Sequence, residues 1–260
     1  MHTRDKTSCK AASYCMANGE PVDDYSTGLF AISRLRVRTA RLRLFSLGEV
    51  ADQNLSIPNT SRQQTMAPQL EKALQLIDEA HAEDAKKVTI EGQEVPYELH
   101  YARQMTWYLE RRAPDASEAL KIAIRAQHFR RWEVPRDSYP MTRIGYHSWR
   151  TFLKKRQAQL VKPIMQDCGY SAEDTQKTMA MIEKQGLREG DPETQVLEDI
   201  ACLVFLDDQF EAFEKTLDED KIIKILQKTW VKMSPEGHKM ALDLHMSQRC
   251  QELVGKALSG

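Results

Sequence analysis

The sequence predicts an all-α fold. From Met66 to the C-terminus, apolar residues recur every three or four positions, the signature of amphipathic helices. The breaks between these runs carry helix punctuation: Ser or Asp before a start, Pro at the first helical position, Gly after a stop. No succession of strands and helices that would build a parallel sheet is present.

The first helix spans about 67–82, with Leu70, Ala73, Leu74, Ile77 and Ala80 on one face. Val88 to Val95 reads as a short hairpin around Glu91-Gly92 or as a loop. A helix over about 97–112 places Leu99, Ala102, Met105 and Leu109 together. Asp115-x-x-Glu118 reads as a capping box for a helix at 116–130. A long helix follows Pro140 with Ile144, Trp149, Phe152 and Leu153; Pro163 should kink or break it, and Gly169 closes it. Ser171-x-x-Asp174 starts the next, with Met179, Met181 and Ile182. Asp191-Pro192-Glu193 starts a helix over about 192–214, apolar nearly all round at 200–206 and therefore central. Asp218 starts another, with Ile222, Ile223, Ile225 and Leu226, and Ser234-Pro235-Glu236 starts the last, with Met240, Ala241 and Leu244.

Residues 66–260 thus form a single domain. Residues 1–65 differ: they lack a sustained apolar period, and Ser26 to Gly48 holds Arg34, Arg36, Arg38, Arg41 and Arg43 without an acid. This segment is expected to be disordered or presequence-like. The expected location is cytoplasmic, or mitochondrial if the segment is a genuine presequence. Five cysteines with no CxxC spacing fit a reducing compartment. No apolar run approaches the ~20 residues of a membrane span.

Net charge is -1, which gives no global attraction to nucleic acid or membrane. Locally, residues 121–160 carry three Lys and seven Arg against two acids, and residues 171–220 carry four bases against fifteen acids. Two oppositely charged faces docking within one domain would explain this; so would an Arg-lined anion pocket facing carboxylates. The segment Gln127 to Tyr139 gathers His128, Arg130, Arg131, Trp132, Glu133, Arg136 and Tyr139, followed by Arg143. Arginine forks grip phosphate and aromatic rings stack on bases. Trp132, Tyr146 and Trp149 serve equally well as core anchors whose neighbouring arginines pair with acidic helices. His100, His128 and Asp199 fall on three core helices, a donor set suited to Zn, Mn or Fe. Arg103 lies one turn after His100. Glu133 and Glu198 are the candidate general bases. Walker, GxGxxG, GxSxG and HExxH motifs are absent.

The elements His100-Tyr101-Ala102-Arg103, Ala126-Gln127-His128 and Val196-Leu197-Glu198-Asp199 resemble, in order and spacing, the HD superfamily of all-α metal phosphohydrolases. Phe129 stands where that family has its paired Asp. The resemblance implies an HD-like fold and a divalent metal held by His100, His128 and Asp199. A longer resemblance runs from Met66 to about Leu258. Tyr97-Glu98-Leu99, Ala113 to Leu120, Arg125 to His128, Tyr139-Pro140-Met141, Val196 to Leu206 and Lys228 to Ser234 look like domain-of-unknown-function family 4202. Members often bear the label glutamyl-tRNA synthetase. This sequence holds Lys232-Met233-Ser234 but continues Pro235-Glu236, has no His-x-Gly-His, and has no βαβ unit for ATP, so aminoacylation is not expected.

Two functional expectations follow. The first is an HD-like metal-dependent phosphohydrolase acting on a nucleotide or small phosphorylated metabolite, with Arg103, Arg130, Arg131, Arg136 and Arg143 neutralising phosphate charge. The second is a non-catalytic nucleotide- or RNA-binding module using the Arg-aromatic set, with Trp132 and Tyr139 stacking.

Overall fold

The computed structural model describes residues 67–259; the expectations for residues 1–65 lie outside them. The described chain is all-α apart from one small hairpin. No helix in it is long and apolar enough to cross a membrane.

Helix α1 (Pro68–His81) opens with Pro at its first turn and buries Leu70, Ala73, Ile77 and His81. Strands β1 (Lys87–Ile90) and β2 (Gln93–Pro96) pair antiparallel through a two-residue turn. Glu91 and Gly92 both have positive φ there, the backbone that matches strand twist in tight hairpins. Asp84 fastens this hairpin to α2 (Tyr97–Arg112) by accepting from the Lys86 and Glu98 amides.

Helix α3 (Glu118–Arg125) is capped by Ser117, whose hydroxyl accepts from the Leu120 amide. It ends five residues before the expected 130. The chain then turns sharply: His128 and Arg130 adopt left-handed backbone, φ 62° and 50°, which costs a non-glycine residue about 1 kcal/mol or more. Short 3-10 turns at Arg131–Glu133 and Arg136–Ser138 lead to α4 (Arg143–Asp167). Thr142 caps α4. The helix runs unbroken through Pro163, contrary to the expected kink or break; Pro163 is solvent-exposed, so its missing amide leaves a carbonyl that water can satisfy. Gly169, at φ 85°, closes it with the Tyr170 amide bonded to the Met165 carbonyl.

Ser171 caps α5 (Ala172–Ile182), and Asp191 caps α6 (Pro192–Val204). From Leu197 to Val204 every residue of α6 is buried. The expected single helix over 192–214 is interrupted: Phe205–Gln209 forms a π-helical turn before α7 (Phe210–Phe213). Such a turn inserts one extra residue and re-aims the side chains around it. Asp218 caps α8 (Glu219–Lys232) and Ser234 caps α9 (Pro235–Leu242). A further helix, α10 (Gln248–Ser259), packs on α8 through Cys250, Leu253 and Ala257; α9 had been expected to be last.

One large core draws buried residues from every helix α1–α10. A smaller cluster of Tyr146, Trp149 and Leu153, with Val134 and Tyr139, ties the 126–142 turn to α4. Two glycines are demanded by close packing. A Cβ on Gly145 would lie 2.1 Å from the Pro140 carbonyl oxygen, and one on Gly237 would lie 2.8 Å from the Asp199 carboxylate. Replacing Gly237 by Ala is therefore expected to destabilise the domain by about 1–3 kcal/mol, read as a lower denaturant midpoint with unchanged slope.

His81 at the end of α1 is buried, with Nε2 against the Arg125 carbonyl. Burial pushes its pKa down to about 4. The folded state therefore binds fewer protons than the unfolded state between pH 6.5 and 4, so this contribution is complete above 6.5 and lost as pH falls. Its share of the slope is up to about 1.4 kcal/mol per pH unit. Melting temperatures measured across this window should fall with pH in the parent protein and fall less steeply in His81→Gln.

Candidate functional site

The first two turns of α2 place Glu98 and Tyr101 on its inward face, and the left-handed turn after α3 brings His128 and Arg131 against them. The His128 ring stacks on Tyr101, centroids 4.2 Å apart and 11° from parallel. Arg131 Nη1 lies 2.7 Å from His128 Nε2. Arginine can only donate, so Nε2 is the acceptor and the imidazole proton sits on Nδ1. That Nδ1 lies 3.3 Å from Glu98 Oε2, yet the angles leave both atoms without a hydrogen bond. Tyr101 Oη is the third buried atom here with none. Each such atom costs about 1–3 kcal/mol if left unsatisfied.

Arg131 is 4 % exposed and Arg150 9 %. The Arg131 guanidinium stands 4.9 Å from the Trp149 ring centroid. Arg150 comes from the inward face of α4 and acts electrostatically on Arg131, His128 and Tyr101. The cluster thus gathers two buried guanidiniums around the Glu98 carboxyl, which the buried Asp84 carboxylate also approaches.

The electrostatics follow from burial. Burial pushes the Glu98 carboxyl up to about 8, with Arg131 opposing. Burial drives His128 well below its ordinary range, and Arg131 and Arg150 reinforce that. At neutral pH the pair is an undissociated acid beside a neutral imidazole. With Tyr101 hydroxyl, Nδ1–H and the guanidinium N–H groups, the cluster presents chiefly hydrogen-bond donors.

A rim lies at the start of α2. His100 Nε2 is 3.1 Å from Asp208 Oδ1, which the π-helical turn supplies. Gln209 donates to Tyr97 Oη, and Lys86 Nζ sits 3.5 Å from the Tyr97 ring centroid.

The structure separates the expected metal set. His128 faces Glu98 and Arg131, and His100 faces Asp208. Asp199 is fully buried and accepts from Arg112, Ser234 and Gln195. Arg112 ends α2 and His100 lies in its first turn, about 18 Å apart along the helix at 1.5 Å per residue. Among the described residues no three His, Cys, Asp or Glu side chains gather as a metal site. The donor set His100, His128 and Asp199 therefore does not fit a single ion in this arrangement, and Asp199 reads as a packing hub.

Several other expected site residues are engaged elsewhere. Glu133 is exposed and paired with Arg130 and Arg156; Glu198 is buried and paired with Lys184. Arg130 also pairs with Glu83, and its guanidinium lies 5.7 Å from the Trp132 ring centroid. Arg136 spends its donors on the Tyr139, Pro140 and Thr142 carbonyls, bracing the turn. Tyr139 packs on the small core cluster, and Arg103 and Arg143 are exposed on α2 and α4. Of the expected ligand-binding residues, Arg131 alone lies in the buried cluster; Arg150 joins it from α4.

Glu98 and Tyr101 were not expected as site residues. Their signal is visible in hindsight: both fall on the stripe of α2 that holds Ala102 and Met105, where a carboxyl needs a partner.

Replacing Glu98 by Gln tests its protonation. A carboxyl whose pKa rises from 4.5 to about 8 on folding stabilises fully below pH 4.5, and that contribution is lost as pH rises through 8. The amide does not titrate, so Glu98→Gln should gain on the parent by up to about 1.4 kcal/mol per pH unit between pH 5 and 8. Parallel denaturant titrations across that range would show it; a constant difference would mean that Glu98 is already ionised when folded.

No curated protein and no solved structure matches the chain. A family model described as "Domain of unknown function (DUF4202)" matches residues 71–254, a span that runs from α1 into α10 and includes the whole buried cluster. The chain belongs to the DUF4202 family.

Proposed function

We propose that this chain binds a small phosphorylated ligand, a nucleotide or phosphorylated metabolite, through Arg131 and Arg150, with Tyr101, His128 and Glu98 completing the grip. The observation that carries this is the convergence of Glu98 Oε2, Tyr101 Oη and His128 Nδ1, all buried and without a hydrogen bond, beside two buried guanidiniums. A phosphoryl group would supply acceptor oxygens to those donors, and charge-assisted hydrogen bonds of this kind are roughly twice as strong as neutral ones. Retaining such unsatisfied groups against their cost favours a binding role over a packing one.

RNA fits less well. The cluster residues are buried and offer no open surface to a strand, and Arg130 and Arg156 on the surface already pair with carboxylates.

A catalytic reading, phosphohydrolysis of the same ligand, draws support from Glu98 and His128, whose environments push their protonation in opposite directions. Glu98 would then hold the proton to be given to a leaving oxygen. Its HD-like, metal-dependent form would need ligands other than the dispersed His100, His128 and Asp199.

Calorimetric titration of inorganic phosphate and of nucleoside monophosphates tests the binding reading. Arg131→Lys and Arg150→Lys should each weaken binding about tenfold or more, because a point charge cannot replace the bidentate fork. Undiminished affinity in both folded variants, or no heat with any of these probes, would remove it. If binding holds, Glu98→Gln that binds but does not release phosphate from a substrate the parent hydrolyses would establish the catalytic form.

A further inference from the structure

The outward face of α4 differs from an ordinary solvated helix face. Residues 138–166 contain no Asp or Glu but six basic residues: Arg143, Arg150, Lys154, Lys155, Arg156 and Lys162. Arg150 turns inward, Arg156 binds Glu133 and Lys154 is only half-exposed, so the exposed charges on this face are Arg143, Lys155 and Lys162, with His147 among them. The same face displays large apolar side chains, Ile144 at 79 % exposed and Phe152 at 44 %, and Met141, just ahead of α4, is 65 % exposed.

Spacing organises these residues. Ile144, Ser148 and Phe152 recur every four positions and form one stripe, and His147, Thr151 and Lys155 form the stripe beside it. From Ile144 to Phe152 the stripe runs about 12 Å. The opposite side of α4 packs on α5 and α1, which leaves this one to solvent. A charged face needs no aliphatic residues to stay hydrated, whereas adjacent exposed apolar groups with a charged rim mark an interaction surface.

Charge and chemistry select the occupant. A face without carboxylates over 29 residues is complementary to an acidic partner. Ile144 and Met141 gain by apolar burial, which a phosphate backbone does not offer; nucleic-acid interfaces are polar. The chain's own Arg34–Arg43 run carries the same sign of charge and is not complementary. An amphipathic helix with apolar anchors three and four apart and acidic flanks satisfies both features. We infer that the outward face of α4, centred on Ile144 and Phe152 and rimmed by Arg143, Lys155 and Lys162, docks an acidic amphipathic helix of a partner protein. This inference stands apart from the phosphate site. The two are nonetheless close, because the turns that present Ile144 and Phe152 outward carry Tyr146, Trp149 and Arg150 inward.

The test is site-specific photo-crosslinking of the full-length chain in its own cells. A photoreactive residue replaces Ile144, and a control replaces the exposed Leu242 on α9. The expected product is a protein adduct specific to position 144, with the crosslinked segment mapping to a stretch rich in Asp and Glu with apolar residues three and four apart. Lys155→Glu with Lys162→Glu, in a protein of unchanged circular dichroism and melting temperature, should lower its yield about tenfold, since rim charges govern encounter. A synthetic peptide of the mapped segment should then bind the parent chain and not the charge-reversed one. Adducts to lipid, to RNA or to a second copy of this chain would overturn the inference. So would equal labelling at both positions, no adduct at 144, or a yield indifferent to charge reversal.

Discussion

A carboxylate buried without water must be matched by donors, and Asp199 is where this constraint organises the domain. Helix α6 is enclosed from Leu197 to Val204, so Asp199 cannot reach solvent. It takes two N–H groups from the Arg112 guanidinium, the amide and hydroxyl of Ser234, and the Gln195 amide. Those donors come from the end of α2, the start of α9 and α6 itself. Ser234 simultaneously caps α9 by accepting from the Gly237 amide. The need to satisfy one charge therefore fixes three helices relative to one another, and it requires a residue without a side chain at Gly237.

The candidate site follows the opposite logic. Around His128 the chain accepts left-handed backbone at two non-glycine positions and leaves three buried polar atoms without hydrogen bonds. The strained turn aims His128 at Tyr101 and Glu98 and sends Arg131 back between His128 and Trp149. Local strain maintained by surrounding rigid elements is typical of positions that meet a ligand. Arg136, by donating to the Tyr139, Pro140 and Thr142 carbonyls, and Trp149, by donating to the Val134 carbonyl, hold it in place. The basic-aromatic segment thus divides its labour: Arg136 braces, Arg130 pairs on the surface, and Arg131 enters the site.

The hairpin and the π-helical turn flank the site at the start of α2. Asp84 ties the hairpin to the Glu98 amide. The extra residue in Phe205–Gln209 turns Asp208 toward His100 and Gln209 toward Tyr97. Without that insertion the carboxylates following α6 would point about 100° away on a regular helix. A helical irregularity in the most apolar part of the chain is thus a device for presenting polar groups at the edge of the buried cluster.

The sequence by itself determined the helical class, most helix starts and the central position of α6. Each of these is written within a few residues: Ser171, Asp191, Asp218 and Ser234 bond amides only three positions ahead, and Leu70, Ala73 and Ile77 mark a face by spacing alone. Matching across most of its length to one family was legible for the same reason, since runs such as Val196 to Leu206 are contiguous. The tertiary structure decided which polar groups meet. His100 finds Asp208 from 108 positions away, and Arg112 finds Asp199 from 87; no local pattern distinguishes these partners from the His128 and Asp199 pairing expected along the chain. The end of α3 at Arg125, the continuity of α4 through Pro163 and the π-helical turn also escaped local rules. At each, the decisive energy comes from packing and solvent access around the backbone, which composition and periodicity do not encode.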